Sequence, residues 1–446
     1  MPPARRTALV TGPVTGARRP WGAPNRDLGP SGYVCEEYLV EGTATGYENG
    51  GDGLPSPDGR WTAVEIGRAP YRTRLLVVRP RERATFNGTV LVQWQNVSAG
   101  FESGRPDGDA LYEGYAWVGV SAQQAGLYGL PMGTGPRGAR GVGSGAPLVD
   151  ADPERYGSLV HPGEPACFDI FAQAARAVGP ERLGPVDPLG GLEVGRLLAV
   201  GASQSAMRLV AYANGLHGAD QLFDGYLLSV WEGRAPRLDD GPVASGGVPV
   251  RVRDDLGIPV LVVNSEFEAP ATARLGIADT DSFRLWEVAG TAHAPGTPIG
   301  APDPGRWAPN PLSWAPVHEA AVGHLDRWVR DGVAPPAQRP IATEGGARAA
   351  IRRDDLGNAV GGIRLPELEV PIGEYRGLCL GTGQAPLFGG YRPFAPLRLD
   401  ALYPSAADYV SRWGAAVDRL VASGALRGAD APPMRARARD VAAALG

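Results

Sequence analysis

Short uninterrupted apolar runs alternate, along most of this chain, with stretches whose apolar positions recur at helical spacing. The runs Thr89 to Gln95, Ala116 to Ser121, Leu197 to Val200, Phe223 to Val230, Ile258 to Asn264 and Phe283 to Val288 read as buried strands. Phe168, Phe171, Ala172 and Ala175 share one helical face and stop at Gly179-Pro180. Ala206, Leu209, Val210 and Ala213 share another, ended by Gly215. A third helix is expected from His318 to Gly332, and two more at 406–423 and 433–445. Tyr33 to Val40 and Tyr71 to Val78 read as an antiparallel lead-in. Strand and helix in alternation predict an α/β protein with a mostly parallel central sheet, helices on both faces.

Between these elements lie long stretches rich in glycine and proline. Residues 1–30 lack periodicity and are expected to be a loosely packed arm. Residues 31–446 are then one domain, with lid insertions at 129–147 and 233–257, both longer than ordinary connections. A C-terminal extension, 333–446, packs on the same domain in this reading. Residues 133–138 match the spacing G-x-G-x-x-G. Pro136 interrupts them and no clear strand precedes them, so a dinucleotide site is not expected there.

Charge narrows the function classes. The 446 residues carry 43 Lys plus Arg against 48 Asp plus Glu, a formal charge of -5, which leaves no basic footprint for nucleic acid. All of the positive charge is arginine, so lysine Schiff-base and P-loop lysine chemistry are excluded. The 3 cysteines are widely spaced and suit buried free thiols rather than disulfides or zinc. No H-E-x-x-H, no histidine pair at i and i+4 and no cysteine cluster points to a metal, and no cofactor is expected. With no signal-like segment and no membrane-length apolar run, a soluble cytoplasmic enzyme without a membrane partner is expected. Nothing in the chain indicates an oligomeric state.

Candidate chemistry centres on Gly201-Ala202-Ser203-Gln204-Ser205, a turn of small residues between a predicted strand and a predicted helix. Such a turn lifts a serine hydroxyl above the sheet, the nucleophile elbow of α/β-hydrolases, although Ser205 replaces the usual last glycine. A serine needs a base, and the base needs a carboxylate. Of the 5 histidines, His293 follows a predicted strand directly. His161 is a candidate pocket residue, while His217, His318 and His324 suit surface or packing roles. Glu268, beyond the Ile258–Asn264 strand, is the preferred acid. Glu266 is the alternative, and Glu232 comes third. The backbone NH of Gln204 and one from Asn96 or Val97 are the expected oxyanion donors. Trp94, Trp117, Tyr128 and Trp231 are candidate walls of an apolar acyl pocket.

Taken together, the loop Trp94–Ser98, the stretches 114–123 and 155–163, the Gly201–Ser205 elbow and Gly361–Pro366 resemble a bacterial family of alpha/beta hydrolase domain proteins, mostly of unassigned substrate. The resemblance spans about residues 30–445 and implies an α/β-hydrolase fold with Ser203 and His293 in the catalytic places. The expected activity is a serine esterase acting on a small-molecule ester. The alternative is an acyltransferase or cyclase that uses the same Ser203, His293 and Glu268 on a natural-product acyl substrate. An idle fold kept for binding is the third reading.

Overall fold

The chain was described from a computed structural model covering residues 8–445, except 17, 52, 54, 131–144, 242–246, 298–301, 347–348 and 383–384. Most of the expected lid 129–147, including the glycine-rich 133–138, lies outside the described residues. The chain forms two compact units: residues 1–228 with 233–259, and residues 229–232 with 260–446. Among the described residues no helix is long and apolar enough to cross a membrane.

In the first unit β1 (Leu9–Thr11), β2 (Tyr33–Asn49), β3 (Ala63–Pro80), β4 (Thr89–Trp94), β5 (Ala116–Val120), β6 (Arg196–Ala202) and β7 (Gly225–Ser229, its last residue in the second unit) lie in the order β1-β2-β3-β5-β4-β6-β7. β4 runs parallel to both β5 and β6. β2 and β3 form the antiparallel lead-in, much longer than the apolar runs that predicted it. Past Tyr71 towards its start, β3 is largely exposed, so backbone pairing rather than a buried face marks it as strand. The parallel strands are buried along nearly their whole length, as both-face coverage requires. Helix Cys167–Arg176 buries Phe168 and Phe171 against Trp94.

The expected loose arm is pinned at several points. β1 pairs with Leu39–Glu41 of β2. The Trp21 indole donates to the Glu102 carbonyl at 3.2 Å, and Arg26 pairs with Asp109 at 2.5 Å. Below Trp21 the fully buried Arg74 lies between Glu37 at 3.3 Å and Glu102 at 3.1 Å. These contacts use backbone and single polar side chains, which leave no periodic trace in sequence.

The expected lid 233–257 contains β8 (Arg234–Ala235) paired with β9 (Val248–Pro249). It is bonded down onto helix Gln204–Gly215: Asn214 donates to the Arg251 carbonyl and accepts the Arg253 amide, both at 3.0 Å. Residues 242–246 of this segment lie outside the described residues.

In the second unit β10 (Val260–Ser265) and β11 (Phe283–Val288) run parallel in register, Val260 opposite Phe283 and Ser265 opposite Val288. Helix Ala315–Asp331 buries Val317, Ala321, Leu325 and Trp328 and ends on Gly332. It begins before the predicted His318 because Pro316 suits a first helical turn. The extension 333–446 falls wholly within this unit. It contributes β12 (Thr343–Glu344) with β13 (Ala350–Ile351), the hairpin β14 (Gly373–Arg376) with β15 (Gly390–Pro393), and helices Ala406–Ala422 and Ala431–Leu445.

Candidate active site

Ser203 links β6 to helix Gln204–Gly215 with φ 56° and ψ -120°. A non-glycine residue at positive φ stores about 1–3 kcal/mol of strain and persists only where its surroundings over-determine it. Here they do. A Cβ on Gly201 would come within 2.8 Å of Leu209 Cδ1 and 2.9 Å of the Ser205 carbonyl carbon, so glycine alone lets helix and strand approach. Ser205, the departure from the usual glycine, closes the turn instead. Its hydroxyl donates to the Ala202 carbonyl at 2.8 Å and accepts the Ala202 amide at 2.9 Å.

The loop after β4 is tied to this elbow twice. Asn96 Nδ2 donates to the Ala202 carbonyl at 2.9 Å, and the Val97 amide donates to Gln204 Oε1 at 3.3 Å. Gln204 Nε2 donates to Gln123 Oε1 at 2.7 Å, which also accepts the Trp94 indole at 2.9 Å. Gln123 Nε2 donates to Glu164 Oε2 at 2.9 Å. A carboxylate accepts only, so Glu164 orients both amides and turns an acceptor towards Val97. Sequence reasoning did not foresee this buried chain. The Val97 amide, one of the expected oxyanion donors, is therefore engaged by a side chain. Asn96 forms a bridge with Ser103, whose amide donates to its carbonyl at 2.9 Å.

In the second unit the loops after β10 and β11 bring Glu268 and His293 together. Glu268 Oε1 meets His293 Nδ1 at 2.6 Å. Its Oε2 accepts the Ser265 amide at 2.9 Å and the Ser265 hydroxyl at 2.6 Å. A carboxylate on Nδ1 keeps the proton there and leaves Nε2 as the basic nitrogen. Burial alone would lower the pKa of His293. The Glu268 hydrogen bond and charge, helped by Glu232, outweigh it and raise the pKa above 6.5.

Glu266 does different work. Its Oε1 accepts Arg353 Nη2 at 2.7 Å and the Gly377 amide at 3.0 Å, and its Oε2 accepts the Gly290 amide at 2.9 Å. It clamps loops of the second unit, whereas Glu268 holds the histidine.

The remaining candidates are placed as follows. Trp94 is fully buried in core, and Trp117, 3% exposed, donates its indole NH to Gln93 Oε1. Trp231 is likewise fully buried, its amide on Asn264 Oδ1. All three are buried, and Trp94 packs against Phe168 and Phe171. Tyr128 is 43% exposed, its hydroxyl on the Leu159 carbonyl. His161 has both ring nitrogens occupied, Nε2 by the Ala122 carbonyl and Nδ1 by the Gly163 amide. His217 meets the Tyr226 hydroxyl, His318 the Ser229 hydroxyl, and His324 the Gly424 carbonyl.

An elbow serine after a parallel strand, with a carboxylate-bound histidine beyond later strands, is the arrangement of an α/β-hydrolase. The chain belongs to an alpha/beta hydrolase domain family, which it matches over residues 10–436. No curated protein matches it. Among solved structures it is similar to the esterase Est22 at 14% identity, with 58% of this chain and 72% of that one covered and a TM-score of 0.30. Brefeldin A esterase, described as a bacterial homologue of human hormone-sensitive lipase, aligns at 13% identity over 62% and 71% of the two chains, with a TM-score of 0.27.

Proposed function

We propose that this hydrolase is a serine esterase that cleaves a carboxylic ester through an acyl-enzyme on Ser203. The observation that carries the reading is the strained Ser203 at φ 56°, since such strain clusters at functional sites and here presents a hydroxyl at the head of a helix. The pair Glu268 and His293 at 2.6 Å supports it from the second unit. In this mechanism Ser203 Oγ bonds to the ester carbonyl carbon as its proton passes to His293 Nε2. The tetrahedral oxyanion is held by the Gln204 amide at the head of the helix. The carbon–oxygen bond to the alcohol breaks, and the alcohol leaves with the proton from His293. Water then repeats the sequence on the acyl-enzyme and releases the acid. Glu268 keeps the proton of the neutral imidazole on Nδ1 and stabilises the imidazolium.

The test is a fluorophosphonate probe followed by peptide mass spectrometry. Labelling of Ser203 in the wild type, and none in a folded Ser203→Ala variant, is expected. An unlabelled wild type that is folded and unable to hydrolyse p-nitrophenyl esters contradicts the proposal. If an added alcohol or amine takes the acyl group faster than water does, the enzyme is a transferase on the same acyl-enzyme.

A further inference from the structure

A glutamate that orients a histidine has one more torsion than an aspartate. Its terminal carboxylate torsion is broad and roughly two-fold. Held at one oxygen alone, it would swing the other off the imidazole. In this protein the second oxygen is held by one residue acting twice. Glu268 Oε2 receives both the amide of Ser265 at 2.9 Å and its hydroxyl at 2.6 Å. The hydroxyl has no choice of direction. Its Oγ accepts the Phe267 amide at 3.1 Å, and an ionised carboxylate can only accept, so the hydroxyl proton lies on Glu268. Ser265 is also rigidly seated. It is the last residue of β10, paired in register with Val288 of β11, and fully buried. The next amide, of Glu266, donates to the Thr291 carbonyl at 3.1 Å, tying the loop after β10 to the loop that leads to His293.

We infer that Ser265 is a positioning residue of this active site: it locks the Glu268 carboxylate so that Oε1 stays on His293 Nδ1. The inference rests on the esterase reading above and gives the residue before Glu266 a role that no motif marks. Rigid support of this kind decides whether a catalytic group is merely present or correctly aimed.

The experiment compares wild type, Ser265→Ala and Ser265→Cys in the full-length protein. It measures melting temperature, kcat and KM for a p-nitrophenyl ester, and the pH profile of kcat/KM. Losing a hydrogen bond to a charged group predicts that kcat falls about 10- to 100-fold in Ser265→Ala with KM nearly unchanged. Ser265→Cys, with a weaker donor of similar size, is expected to fall between. The acid limb of the profile should also move to lower pH. The groups facing His293 are Glu268 and Glu232, and the hydrogen bond and charge of Glu268 raise its pKa most against burial. A freely turning Glu268 gives up part of that effect. A purely structural serine would lower the melting temperature and leave the limb in place. Folded Ser265→Ala with wild-type kcat and an unmoved limb overturns the inference, as does a kcat loss that only follows the folded fraction. If Ser265→Ala does not fold, the cysteine variant decides by the same criteria. Fluorophosphonate labelling of the wild type is run alongside: without it the esterase reading fails, and with it only the role of Ser265 is at stake.

Discussion

At the scale of single residues, two buried glutamates separated by one residue perform unlike tasks. Glu268 is 1% exposed and Glu266 2%, so burial does not separate them. Their partners do. Glu268→Gln is expected to lower kcat by about 10³- to 10⁴-fold, because an amide no longer fixes the histidine tautomer or balances its charge. Glu266→Gln removes the charge paired with Arg353 and weakens the hold on the Gly290 and Gly377 amides, at a cost of about 3 kcal/mol. It should lower the melting temperature while kcat per folded molecule stays within a few-fold of wild type. Steady-state kinetics paired with thermal melts separates the two, and the reverse pattern assigns the acid to Glu266. Sequence spacing could favour Glu268 but not decide. The partners of Glu266 stand at 290, 353 and 377, far along the chain.

Secondary elements carry the next level of the account. The elbow works because β6 and helix Gln204–Gly215 meet at Gly201 and Ser203. Gly201→Ala is expected to destabilise the fold by about 1–3 kcal/mol through overpacking against Leu209 and the Ser205 backbone. It should also slow labelling of Ser203 in the molecules that remain folded. A melt and a labelling time course check both effects, and wild-type values in both would show that the approach at Gly201 is not tight. This element was legible in sequence: apolar residues 197–200, small residues at the turn, and helical spacing after it mark β6 and its helix. β11 matches its expected bounds, Phe283 to Val288. Elements held by backbone pairing were not legible. β1, the exposed half of β3, and the hairpin β14–β15 bury no alternating face that the chain could announce. The Gln204–Gln123–Glu164 chain was equally hidden, since its members come from three segments far apart in the sequence.

At the scale of the whole molecule, the histidines set how stability responds to acid. Burial lowers the pKa of His161, His217 and His324, and pushes that of His318 down to about 4. A histidine kept neutral in the fold gains a proton on unfolding. Its contribution is therefore full above pH 6.5 and is lost as pH falls through its folded pKa. His293 is opposite in sign: its raised pKa favours the fold at low pH, and that share is lost as pH rises. Between pH 7 and pH 5 the melting temperature of the wild type should fall more than that of His318→Gln, which can still bond to the Ser229 hydroxyl. Parallel curves for the two would remove His318 from the account.

The central claim is that Ser203 carries the acyl group. Rapid mixing with a p-nitrophenyl ester, acid quench and peptide mass spectrometry measure this directly. The account predicts the acyl mass on the peptide containing Ser203, formed before steady turnover and absent from Ser203→Ala. Turnover that persists in Ser203→Ala, or an acyl group found on another residue, would contradict it.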